Sequence, residues 1–151
     1  MTIKTGCVGC IFADDGYNIA FLPEAEMSIY LAIAFGGSVG AVARYWVSTT
    51  TYYWLGDNFP YGTLAVNVIG SIALGFLTII LADRLNLSNE IRLGLTVGFL
   101  GAFTTFSSFA LDTVYLLDSG AILKAVSYGL LSVVLCLLGV WAGIFAAKHY
   151  F

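Results

Sequence analysis

Charge is scarce in this 151-residue chain: 10% of its residues are Asp, Glu, Lys or Arg, against roughly 25% in soluble domains. With 60% of the chain hydrophobic and a mean hydropathy of +0.92, the composition is that of a helical membrane protein rather than a water-soluble domain. Basic residues are fewer than acidic ones, six against nine, so no basic patch is left for nucleic acid or an anionic surface. Histidine occurs once, at His149, and cysteine three times, which excludes an even disulfide framework. Cys7-Val8-Gly9-Cys10 has the spacing of redox and metal sites, yet no second pair and no nearby histidine completes one. The apolar runs also lack carboxylates at their centres, because Asp83, Glu90, Asp112 and Asp118 fall at or beyond their ends. That removes the usual site for coupling protons or sodium to cation export. With no mid-run histidine, no paired catalytic carboxylates and no Ser-His arrangement, the chain is not read as an enzyme.

What charge there is divides unevenly. Residues 1–26 hold Lys4 against Asp14, Asp15, Glu24 and Glu26, a net −3, whereas residues 27–151 carry five bases and five acids. The chain is therefore read as an N-terminal extension, 1–26, expected to be disordered, and a membrane domain, 27–151. Residues 19–22 are too short an apolar stretch for a secretory signal, and Met27 is read as a candidate true start.

Four apolar blocks follow, at about 28–47, 62–81, 91–111 and 121–147, each long enough for a roughly 30 Å hydrocarbon core. Gly56-Asp57-Asn58 and Pro60 supply breakers in the polar segment 48–61, and residues 82–90 and 118–120 read as further loops. Small residues four apart, Gly36 and Gly40, Gly94 and Gly98, Gly139 and Gly143, predict close helix crossings. Basic residues divide almost evenly across the membrane: Arg84, Arg92 and Lys148 on one side, Arg44 and Lys124 on the other. A chain with so small a bias can insert both ways, and two oppositely oriented copies can pair as an antiparallel dimer.

The polar residues inside the blocks mark the candidate site. Gly101-Ala102-Phe103-Thr104-Thr105-Phe106-Ser107-Ser108-Phe109 begins about 15 Å into the third span, near the bilayer midplane. Glycine, paired threonines and paired serines weaken a helix there, so this segment is either a break whose freed polar groups meet protein or a cavity, or a continuous helix with back-bonded hydroxyls. Phe106 and Phe109 share a face, and the positive edge of a phenyl ring can stabilise an anion without tight binding. Asn67 either bonds across helices or offers its amide to a passing anion. Tyr128, Ser132 and Cys136 form one polar stripe on the fourth span. Arg44, near the end of the first span, either snorkels to the interface or serves the pathway, and is counted among the candidate pore residues.

Three segments together resemble the signatures of the Fluc (CrcB) fluoride channels: Gly36-Gly37-Ser38-Val39-Gly40-Ala41-Val42-Ala43-Arg44-Tyr45, Gly62-Thr63-Leu64-Ala65-Val66-Asn67-Val68-Ile69-Gly70-Ser71, and Gly98 through Phe109. The resemblance covers about 27–151. It implies an all-α membrane protein of four transmembrane helices, the third broken near the midplane, assembled as an antiparallel dual-topology homodimer in the cell membrane. It further implies a passive fluoride-selective pore that lowers cytoplasmic fluoride, with Asn67, Phe106, Phe109, Ser108, Tyr128 and Ser132 along it. A structural sodium ion on the dimer axis would be held by backbone carbonyls of Gly101 and Thr104 from both chains. The chain departs from the family's pattern at Ala102, where a second glycine is usual, and at Ser108, where Thr is common. The alternatives are a dual-topology exporter of cations or small molecules, which would use a mid-span glutamate missing here, and a thiol oxidoreductase built on Cys7 and Cys10, which lacks a second pair.

Overall fold

The computed structural model describes residues 25–81 and 87–150; the extension with Cys7 and Cys10, and the central part of the second connection, lie outside the described residues. Every regular element among the described residues is helical, and four of the helical segments are long and apolar enough to cross a membrane. Helix α1 spans Ala25–Leu55, 31 residues and about 46 Å, well beyond a hydrocarbon core of roughly 30 Å. The polar segment 48–61 was expected to be a turn from its start, and this is corrected: the helix runs on to Leu55. Its threonine hydroxyls fold back onto the preceding turn, Thr49 donating to the Tyr45 carbonyl at 2.8 Å and Thr51 to that of Val47 at 2.7 Å. Trp46, Tyr53 and Trp54 are exposed around this overhang, where amphipathic rings anchor a helix at the membrane interface. The chain then turns at Gly56, whose φ of +77° a side chain would resist, and Pro60 leads into α2, Tyr61–Ile79.

The third span is assembled from pieces: α3 (Asn89–Leu93), a π-helical stretch (Gly94–Leu100), α4 (Gly101–Phe103) and α5 (Phe106–Asp118). It reaches Asp118, beyond the expected end at residue 111, and so takes Asp112 inside a helix. α5 closes in a Schellman turn: Gly120 at φ +76° donates to the Leu117 carbonyl and Ala121 to that of Leu116, both at 2.9 Å. Helix α6, Ile122–Tyr150, completes the bundle.

Helix approach is set by glycine where the sequence spacing suggested it. A Cβ at Gly36 would overlap the Gly94 carbonyl, one at Gly40 the Phe99 carbonyl, and one at Gly98 would lie 2.6 Å from the Ile33 carbonyl oxygen. Gly75 and Gly143 bring α2 and α6 together in the same way, against the Val140 and Ile72 carbonyls. In lipid, where apolar burial gives no drive between helices, such backbone contact is the main packing energy. α1 thus lies along the π-helical stretch and α4, while α2 lies along α6, and the break in the third span faces α2.

Candidate functional site

The α-helical ladder stops at two residues. Thr104 (φ −81°, ψ 158°) and Thr105 (φ −153°, ψ 113°) are extended, between the end of α4 and the start of α5. Of the two sequence readings, a break or a continuous helix with back-bonded hydroxyls, the structure has the break. The back-bonding survives only at its upstream edge, where Thr104 Oγ1 donates to the Leu100 carbonyl at 3.0 Å.

Two side chains close the break. Asn67 Oδ1 accepts from the Thr105 N–H at 2.8 Å and Asn67 Nδ2 donates to the Thr105 carbonyl at 3.0 Å, a two-point clamp from α2. Thr105 Oγ1 then caps α5, accepting from the Ser108 N–H at 3.1 Å, and its hydroxyl reaches Ser108 Oγ at 3.0 Å and Ser107 Oγ at 3.2 Å. Gly70 on α2 makes room for this, since a Cβ there would overlap the Thr104 methyl and lie 3.2 Å from the Phe103 ring.

These bonds have a consequence on the main chain. In an unbroken helix the N–H of Thr105 would serve the Gly101 carbonyl and that of Ser108 the Thr104 carbonyl. Here the first is taken by Asn67 and the second by Thr105 Oγ1, so those two carbonyls lose their helical donors. Free carbonyls at such depth need another partner, and a hard cation is one that oxygen ligands suit. Among the described residues no group of three or more His, Cys, Asp or Glu side chains could hold a metal ion.

Beside the break lies an open groove of about 800 Å3, lined by Asn67, Ser71, Thr78, Thr96, Gly101, Thr104, Thr105, Phe106, Phe109, Ser132 and Cys136 together with Gly70 and aliphatic side chains. No charged side chain lines it. Phe106 is 79% exposed on its rim, and Phe109 is half-buried behind it with ring centroids 5.4 Å apart. The aromatic line continues from Phe109 to Tyr128, 5.2 Å, and from Tyr128 to Phe59, 5.5 Å and edge-on at 87°. Ser132 is a buried lining residue, and its Oγ has no hydrogen-bond partner among the described residues.

Among the sequence candidates, Asn67, Phe106, Phe109, Ser132, Gly101 and Thr104 thus share one cavity, and Ser108 and Tyr128 adjoin it through Thr105 and Phe109. Arg44 is half-buried on α1 and is not among the residues lining the groove. Asp112 requires a correction, because it was placed at or beyond a helix end and is instead the seventh of the thirteen residues of α5. Its Oδ2 accepts from the Thr63 hydroxyl at 2.6 Å and the Tyr128 hydroxyl at 3.3 Å, joining three spans at the end of the aromatic line. Sequence reasoning missed Thr63 and Asp112; a carboxylate six residues after Phe106 on a span that continues past residue 111 was the available signal.

Residues 31–144 match the family model described as CrcB-like protein, Camphor Resistance (CrcB). The chain belongs to the CrcB family. A CrcB relative from Geobacter sulfurreducens, named fluoride-specific ion channel FluC, is 50% identical over 123 residues, 82% of this chain and 99% of its own length. One from Hydrogenovibrio crunogenus with the same name is 46% identical over 121 residues, 80% of this chain and 92% of its own. A third, from Methylococcus capsulatus, also so named, is 53% identical over 118 residues, 78% of this chain; the match spans about half of that relative, 52%. The matched region takes in the Asn67 clamp, the break and the paired phenylalanines, and the chain is a multi-pass membrane protein of this family.

Proposed function

We propose that this chain forms half of a fluoride-selective passive channel in the cell membrane, the inner membrane in a Gram-negative source, which lets fluoride leave down its gradient and lowers cytoplasmic toxicity. The observation that carries this reading is the uncharged groove at the helix break, where neutral donors and ring edges converge without a fixed cation. Fluoride is small and strongly hydrated, so a selective path must replace its water with many weak donors and still let it go. Asn67 spends one amide N–H on the Thr105 carbonyl and keeps the other for an anion. Hydroxyls of Ser108 and Ser132 add donors, Tyr128 lines the path with its ring while its hydroxyl is held by Asp112, and the edges of Phe106 and Phe109 add weak positive potential. The Thr63–Asp112–Tyr128 group would close the path at one end, its carboxylate holding both hydroxyls in place.

A second, antiparallel copy is the natural cover for the groove: Phe106 lies 79% exposed on its rim, and the basic residues divide nearly evenly between the two sides of the membrane. Where two such breaks meet, the Gly101 and Thr104 carbonyls of both chains would hold a sodium ion, which supplies the positive partner that the helical donors no longer give. The test is anion efflux from liposomes containing the purified protein, started by a potassium ionophore. Fluoride should leave and chloride stay. Equal loss of the two, or fluoride loss that requires a proton gradient, would refute the channel reading.

A further inference from the structure

A second copy that covers the groove from the side leaves its two ends as the ways in, and the ends differ in charge. At one stands the Asp112 carboxylate with the hydroxyls it holds. The other is defined by two rows of lining residues. On the third span Thr104, Leu100 and Thr96 line the groove at four-residue intervals, and one turn further out the row reaches Arg92. On α6 Cys136, Val140 and Ile144 line it at the same interval, and the row reaches Lys148. The third span begins and α6 ends on the same side of the bundle, so two cations stand at one mouth, each about 6 Å along its helix axis beyond the last lining residue. Arg92 is half-buried, its Nε is buried without a hydrogen-bond partner, and Lys148 is exposed in the last turn of α6. Glu90, the nearest described acid along the chain, takes its hydrogen bonds from Ser88 and Ser28. Asp83 and Arg84 lie outside the described residues and cancel in charge. Lys124, on the opposite side, donates to the Asn58 carbonyl at 3.1 Å.

We infer that Arg92 and Lys148 form a cationic mouth that gathers fluoride at one end of the uncharged groove. The inference rests on the channel reading above. A path lined only by neutral groups has nothing to draw a hydrated anion out of bulk water, whereas charges set one turn back from the lining raise the local fluoride concentration. They do so without adding a fixed charge inside the path, where tight binding would stop release. Both residues act here by charge rather than by a fixed bond geometry, so lysine can stand in for Arg92. Such a field reaches about 30 Å at 0.01 M ionic strength and about 3 Å at 1 M, which confines the effect to dilute salt. Residues 1–26 carry a net −3 and precede α1 on this side, so the field is measured in the full chain.

The experiment records fluoride current across neutral phosphatidylcholine bilayers, first in potassium fluoride at about 0.01 M and then in the same bilayer after potassium isethionate brings the ionic strength to about 1 M. The ratio of the two currents does not depend on how many channels are present, and a merely structural role would not move it. In the unmodified chain, added salt should cut the current roughly five-fold, as screening of two unit charges about 7 Å from the ion implies. With Arg92→Gln and Lys148→Gln together, the dilute current should fall and the ratio approach unity, while Arg92→Lys should keep the unmodified ratio. An unmodified chain without salt sensitivity, a double variant that keeps its full sensitivity, or an Arg92→Lys chain that behaves like the double variant overturns the inference while the channel reading stands. Should the double variant not fold, Lys148→Gln alone, at its exposed position, decides: partial loss of salt sensitivity supports the mouth and an unchanged ratio overturns it. A folded unmodified chain that passes no fluoride overturns both.

Discussion

Replacing Asn67 with leucine removes both arms of the clamp on Thr105 while keeping a side chain of similar size. Two scales bound the cost. Interhelical hydrogen bonds in membranes average about 0.6 kcal/mol each, which sets a floor near 1 kcal/mol for the pair. Leaving a buried donor and a buried acceptor unsatisfied costs about 1–3 kcal/mol apiece, a ceiling near 6 kcal/mol. The truth lies toward the lower end, because straightening of the break would let the Thr105 N–H return to the Gly101 carbonyl. We therefore expect Asn67→Leu to destabilise the folded chain by about 2 kcal/mol, within those bounds. Asn67→Asp, which keeps the acceptor for the Thr105 N–H and loses the donor to its carbonyl, should retain part of that stability. Steric-trap unfolding in bicelles measures the difference directly, and fluoride efflux should fall in both variants. An Asn67→Leu protein that unfolds like wild type would show that the clamp does not hold the break, and the account of the freed carbonyls would fall with it.

Three further outcomes follow from the same geometry. A single cysteine introduced beside His149 in a cysteine-free background should be labelled from each side of the membrane in about half the chains, as a weak charge bias requires; labelling from one side alone would exclude the antiparallel dimer. Thr104→Ser preserves the main-chain oxygen and the hydroxyl that returns to Leu100, so dimer and flux should survive in sodium, whereas Gly101→Leu should impair both; size-exclusion chromatography and efflux read this, and the reverse pattern would remove the carbonyl site. Asp112→Asn leaves a weaker acceptor for the Thr63 and Tyr128 hydroxyls, each bond to a charged partner being worth about 1.5–3 kcal/mol, and should slow fluoride efflux in a chain that still folds; wild-type rates would make this group packing alone.

Sequence made the spans legible because apolar length and glycine spacing act locally, and Gly36, Gly40 and Gly98 lie at the crossings their spacing suggested. The segment that breaks was readable for a similar reason, since Gly101, Thr104, Thr105 and Ser108 each disfavour a helix, but the residues alone left a break and a back-bonded helix both open, and the extended Thr104 and Thr105 decide between them. The end of α1 was not, because Thr49 and Thr51 look like loop residues until their hydroxyls are seen bonded to Tyr45 and Val47. Nor was the Thr63–Asp112–Tyr128 group, whose members stand 49 and 16 residues apart and meet only once three spans are packed. The loss of donors at Gly101 and Thr104 is a main-chain event, and it follows from where Asn67 and Thr105 Oγ1 direct their bonds rather than from the identity of either residue.

The central claim is that fluoride passes along the groove beside Phe106 and Phe109, and it is tested most directly by efflux from liposomes holding Phe106→Ile or Phe109→Ile protein alongside wild type. Isoleucine keeps apolar bulk and removes the positive ring edge. Wild type should discharge fluoride and retain chloride, while both variants, dimeric and folded, lose fluoride efflux. Wild-type fluoride rates in both variants would contradict the account and move the pathway away from these rings.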